Sequence, residues 1–165
     1  MLDDCDPASF NAALGAGTCV GSGKTTFPQF IQELTQTHTA RKWRFLPPFT
    51  EVRKNAVLVA ANLGGETHTF THVQHFGGGI VPILNQLSNN PTVVPECTTL
   101  ETEDFVAPGQ TYRLPTRGVH SRSMKIQCRI HPGMRSVVEV DGRGRRSRST
   151  ADRLPADGAK RSAAR

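Results

Sequence analysis

No run of apolar residues in this chain approaches the ~20 needed to cross a bilayer as a helix, so no membrane span is expected. The first residues, Met1-Leu-Asp-Asp-Cys-Asp-Pro7, have neither the basic start nor the apolar stretch of a secretory leader. They read as a mature N-terminus, or as a start placed downstream of a leader. Charge is scarce as well, once its distribution is followed. Of the net +6, a surplus of five comes from Asp141 onward, where eight Lys/Arg face three Asp/Glu, leaving +1 for residues 1–140. A body so close to neutral lacks the basic face that phosphate contacts require, and no nucleic-acid partner is expected for it. A phosphate loop is missing too. Gly23-Lys24-Thr25 would close G-x4-G-K-[ST] only with Gly at position 18, where Thr18 stands, and no apolar strand precedes it. The run from Gly15 to Thr25 is read as a flexible connection.

What is present divides into three parts. A length of 165 residues suits one domain with a real core. Residues 1–40 form an N-terminal arm with a short helix, residues 41–141 a β-rich domain, and residues 142–165 a basic tail. With one Leu and no aromatic, the tail cannot bury enough apolar surface to offset its ordering and is expected to be disordered. Its arginines suit phosphate or acidic surfaces, the alternative being a solvated appendage with no partner. In the arm, Thr26 and Gln29 fit a capping box. Phe27, Phe30, Ile31 and Leu34 fall at i, i+3, i+4 and i+7, which predicts an amphipathic helix over residues 27–36 packed on the domain.

From Trp43 the period shortens to two. Short strands are expected at Trp43–Phe45, ended by Pro47-Pro48, and at Ala56–Ala60, the latter buried. Gly64-Gly65 turns the chain into Thr67–His72, where β-branched residues favour a strand with His68, Phe70 and His72 on one face. Reading His68, His72 and His75 as a helical zinc cluster is opposed by those glycines and the Thr-rich run, and no HExxH is present. His72 and His75 are expected at the surface or in loops. From Phe76 to Pro95 the chain reads as a long loop that is either a variable insertion or a cover, through Phe76, Ile80 and Val81, over a nearby site. Strands at Thr111–Leu114, Met124–Cys128 and Ser136–Val140 follow, the last two as neighbours.

The chemistry is concentrated in Cys128-Arg129-Ile130-His131-Pro132-Gly133-Met134. Thiolate, imidazole and thioether within seven residues form a soft donor set suited to copper, and a His2Cys set with a weak axial Met is a blue-copper arrangement. Four Cys, six His and three Met in 165 residues give C-x2-H-x2-M by chance roughly 0.003 times. The second His must come from elsewhere, and His68, in Asn62-Leu-Gly-Gly-Glu-Thr-His68, is the candidate.

In these residues the chain resembles the cupredoxins. The C-x2-H-x2-M loop is similar to the short ligand loop of amicyanin-type members, and Asn62 followed by His68 is similar to the plastocyanin pattern. Thr69 stands where members often have Asn, and Arg129 and Gly133 depart from the relatives with a second Cys and an aromatic in this loop. The resemblance covers roughly residues 41–140. It implies an all-β, Greek-key β-sandwich holding one copper ion, Cu(I)/Cu(II), on His68, Cys128 and His131 with Met134 axial. It further implies that His131 is the partly exposed ligand beside a small Pro132-Gly133 docking patch, and that Thr69 N–H donates to the Cys128 sulfur.

Without an H-x-H pair for a second copper centre, the expectation is an electron-transfer protein rather than an enzyme. It would act as a monomer with a redox partner protein, in the periplasm or secreted. The alternatives are a copper-binding or scavenging protein without redox exchange, and an unloaded interaction module. With Cys128 on the metal, Cys5–Cys19 is the expected disulfide, constraining the arm by ~3 kcal/mol. Pairing of Cys97 with either arm cysteine is the alternative.

Overall fold

The structure, a computed structural model, describes residues 1–98, 104–119 and 122–141. The basic tail anticipated at 142–165 lies outside them. The described chain is mostly sheet with three α-helices, consistent with a β-sandwich.

The arm begins with a helix that the sequence reading did not anticipate, α1 (Pro7–Leu14). Its signals were nonetheless local: Asp6 accepts from Ser9 N–H at 2.9 Å as the N-cap, Pro7 occupies the first turn, and Gly15 ends it at φ 110°. Helix α2 (Phe27–Thr37) starts on the expected capping box, Thr26 and Gln29 satisfying each other's backbone N–H. Phe30 and Leu34 are buried, with Phe27 and Ile31 packed beside them. Cys5 and Cys19 form the expected disulfide, and Cys97 is a buried free thiol. The first forty residues share the main core: Phe10 stacks on Trp43 at 5.7 Å, and Phe30 lies 4.4 Å from the same ring.

Four strands form the principal sheet. In chain order these are β1 (Phe49–Arg53), β4 (Thr71–Val73), β7 (Ser123–Gln127) and β8 (Arg135–Asp141), arranged β1-β8-β7-β4. β7 and β8 are antiparallel neighbours, as expected, while β1 runs parallel to β8. Two further pairs are antiparallel: β2 (Val57–Ala61) with β6 (Thr111–Pro115), and β3 (His68–Thr69) with β5 (Phe105–Val106). Met124, Ile126, Val138 and Val140 alternate inward from β7 and β8. Each such burial contributes about 1.5–3 kcal/mol relative to exposure.

Four local expectations change. Trp43–Phe45 makes a single bridge, Arg44 exchanging backbone hydrogen bonds with Leu2, rather than a strand. β2 is not buried throughout: Val57 and Val59 are exposed and only Ala60 is buried, because the β2–β6 pair offers one face to solvent. Residues 67–72 do not keep one alternation. The chain leaves β3, paired with β5, and at Phe70 passes to β4, paired with β7, so His68 is buried while His72 is exposed. The stretch from Phe76 to Pro95 is not irregular, since it carries α3 (Pro82–Leu87), followed by a short 3-10 turn at Pro95–Cys97.

Candidate metal centre

Cys128 follows the last residue of β7, and the loop after it closes on itself. Cys128 N–H donates to Met134 C=O at 3.1 Å, and Met134 N–H donates to His131 C=O at 2.9 Å. His68 stands on β3 at the crossing between sheets. The two segments are joined by Thr69, whose N–H donates to Cys128 Sγ at 3.4 Å, as the resemblance implied, and whose hydroxyl accepts from Arg129 N–H at 2.7 Å.

The imidazoles converge on the sulfur. His68 Nδ1 lies 4.0 Å and His131 Nδ1 3.9 Å from Cys128 Sγ, with the rings 5.2 Å apart. One donor atom from each residue falls within 4.8 Å of the other two, and all three residues are buried. Bonds of about 2.3 Å to sulfur and 2.1 Å to nitrogen would span these separations. The residues thus fit one metal ion. Met134, the proposed axial ligand, is buried on the same loop and lines a small cavity with His131. His72 and His75 are exposed, as expected.

Each imidazole turns its other nitrogen to a carboxylate, and the sequence reading named neither one. His68 Nε2 is 2.8 Å from Asp3 Oδ2, and both side chains are almost wholly buried. Asp3 also accepts from the N–H groups of Cys5 (3.2 Å), Gly65 (2.9 Å) and Glu66 (3.1 Å). His131 Nε2 lies 3.7 Å from Glu66 Oε2, which accepts from Trp43 Nε1 at 2.5 Å. Glu66 carried a weak signal by its place two residues before His68. Asp3, 65 residues away in sequence, carried none.

The protonation states follow. Burial opposes ionisation of Cys128, but hydrogen bonds and charge from His131 and His68 outweigh it and hold the thiol well below its usual range. Burial works against a charged His68, yet the hydrogen bonds to Asp3 and Cys128 raise it to about 9. For Asp3 burial is overcome by His68 and by the N–H groups of Gly65 and Glu66, which bring it down to about 2. Burial dominates at Glu66 and pushes it up.

The glycines show how closely the arm is built against the ligand segment. A Cβ on Gly64 would fall on the Asp3 carboxylate, and one on Gly65 would meet Gly21 N at 2.5 Å and Cys5 Sγ at 2.7 Å. Asn62, fully buried, donates to Glu66 C=O and Val106 C=O and accepts from Gly64 N–H, fixing the turn before His68.

His131 departs from expectation. It is 6% exposed and Pro132 is buried, leaving only Gly133 of that patch at the surface. The cause is the arm: Phe30 meets the His131 ring edge-on at 6.1 Å, and Phe30, Leu34, Trp43 and Leu84 surround it across a largely apolar cavity of about 20 Å³, room for about one water. The expected cover also changes. Val81 packs on the main core and Phe76 on Val73, Val94 and Cys97, so Leu84 of α3 and Ser88 just after it are the residues from this stretch that line the cavity. No family model matches the chain, and a search of curated proteins found no match. Among the described residues no helix is long and apolar enough to cross a membrane.

Proposed function

We propose that this chain is a cupredoxin-like electron-transfer protein that holds one copper ion on His68, Cys128 and His131, with Met134 as a weak axial donor. The observation that carries the reading is the convergence of both Nδ1 atoms and the Thr69 N–H on one buried sulfur. A thiolate with two imidazoles suits copper among the common metals. A Greek-key sandwich and a home outside the cytoplasm belong to the same reading, and the Cys5–Cys19 disulfide is compatible with that location.

Copper bound there would alternate between +1 and +2, taking up and releasing one electron. The chain supplies the conditions. The two imidazoles hold the Cys128 thiol well below its usual range, which eases loss of its proton to an incoming ion. His68 gives up the proton on Nδ1 to become a ligand and keeps the one on Nε2, donated to Asp3. Thr69 N–H takes up part of the sulfur's charge, and Phe30, Trp43 and Leu84 restrict water on the His131 side to a small, largely apolar cavity. A buried site held by packing keeps its ligands in place when the ion's charge changes.

The burial of His131 favours a second reading, a copper-binding protein without rapid exchange, because His68 is fully buried and only 6% of His131 is exposed. Titration with Cu(II) and with Cu(I) separates the two. Electron transfer requires an intense visible thiolate band with Cu(II), lost in Cys128→Ser, and reversible reduction without loss of metal. A colourless complex, or one that releases copper on reduction, rules it out.

A further inference from the structure

We propose that Asp3, seconded by Glu66, is the positioning residue that matches the His68–Cys128–His131 centre to a divalent ion, stabilising Cu(II) over Cu(I) and lowering the reduction potential. The inference deepens the copper reading and rests on it for the redox part, while its preference for a divalent ion stands on the charges alone.

The argument starts from geometry. Asp3 Oδ2 is 2.8 Å from His68 Nε2, and the carboxylate's other hydrogen bonds come from three backbone N–H groups, so its orientation is set from four directions. With Nε2–H committed to Asp3, Nδ1 is the nitrogen left to face Cys128. A carboxylate behind a ligating imidazole fixes the ring and makes it a stronger donor. Glu66 stands behind His131 at 3.7 Å, a charge neighbour beyond hydrogen-bond reach, and one carboxylate oxygen of Glu66 lies within 4.8 Å of one from Asp3.

The count of buried charge points the same way. Arg129 and Asp104, paired at 3.2 Å, cancel. The Cys128 thiolate and Asp3 put two negative charges on groups removed from water, with neutral imidazoles once metal is bound, and the half-buried Met1 ammonium, coupled to Asp3, offsets part of the second. A divalent ion compensates this set better than a monovalent one, and Glu66 adds to the negative charge whenever it is ionised. In a closed site such an imbalance is costly, because water is not there to screen it.

The test uses the full chain and the metals alone. Asp3→Asn removes the charge while nearly preserving shape. It should weaken binding of Zn2+, a redox-inert divalent ion, and of Cu(II) by tenfold or more, with a smaller loss for Cu(I). A tenfold difference between the two copper states raises the reduction potential by about 59 mV. Equal losses for Zn2+, Cu(II) and Cu(I), with the potential unchanged, would mean that Asp3 only supports the fold and would overturn the proposal. Should Asp3→Asn fail to fold, Asp3→Ser must show the same ordering, and equal losses for the three ions with an unchanged potential there would overturn it too. If the wild-type chain takes Zn2+ but forms no coloured copper complex, the electron-transfer reading falls. The loss of Zn2+ affinity in Asp3→Asn set against its loss of Cu(I) affinity then decides on Asp3, a larger Zn2+ loss supporting the proposal and equal losses overturning it.

Discussion

Single atoms set most of what the centre can do. On the proposed copper reading Met134 is the weakest of the four donors, so Met134→Leu should keep copper and colour while raising the reduction potential, since losing a donor disfavours Cu(II). Because the two side chains have similar volume, the cost in stability at this buried position should stay below about 1.5 kcal/mol. His68→Ala should behave oppositely, losing most of the copper affinity with the loss of a strong ligand. Voltammetry and metal titration check both, and an intact coloured site in His68→Ala would show the upstream ligand to be misassigned. Gly133, next to Met134 in the loop after Cys128, is not under steric demand: a Cβ there meets no atom within 4 Å. Gly133→Ala should therefore leave copper affinity and melting temperature close to wild type.

Among the secondary elements, the arm matters more than its length suggests. Its disulfide closes a 14-residue separation, and the loop-entropy view values such a link at about 3 kcal/mol. Reducing it should also loosen Asp3, whose neighbour Cys5 N–H donates to its carboxylate. Reduction, or a Cys5→Ser/Cys19→Ser pair, should lower denaturation midpoints and weaken metal binding together, whereas an unchanged affinity would separate the arm from the centre. Gly65→Ala is the sharper probe. The added methyl has only backbone and the disulfide sulfur to push against, so a loss of about 1–3 kcal/mol in chemical denaturation is expected, as for overpacking in a core.

Across the whole molecule, the paired charges make the metal-free chain sensitive to pH in a definite direction. Asp3 titrates at about 2 in the folded state against 3.8 as its ordinary value, so its contribution is present above 3.8 and disappears as pH falls through 2. His68 titrates at about 9 against 6.5; its contribution is complete below 6.5 and disappears as pH rises through 9. Cys128, held well below its usual range, works the other way, its contribution growing as pH rises toward the ordinary thiol value. The metal-free Cys128→Ser chain, without that opposing contribution, should thus be most stable between about pH 4 and 6.5, as melting temperatures across a pH series will show. In the wild type a bound metal would replace the His68 proton, so the His68 part of the alkaline decline should vanish in the loaded form. A Cys128→Ser melting temperature that climbs steadily from pH 6.5 to 9 would contradict the Asp3–His68 pairing.

The sequence by itself determined whatever depends on neighbours along the chain. Thr26 and Gln29 cap α2 because the reciprocal bond spans three residues, and Cys128, His131 and Met134 come together because one short loop holds them. The alternation in β7 and β8 was legible because one face of each is buried. His68 was the one long-range assignment, and its match to a known ligand pattern, rather than any local rule, singled it out. Only the tertiary structure decided the rest. That Asp3 buttresses His68, that Glu66 and Trp43 stand behind His131, and that Phe30 and Leu84 close over it all depend on the arm folding back onto the ligand loops. Hydrogen bonds between residues more than 60 positions apart leave no periodic trace, since packing selects them after the elements have formed. The same closure turned an imidazole expected at the surface into a buried one: α2 hides its own apolar face against the ligand loop, and His131 lies beneath it.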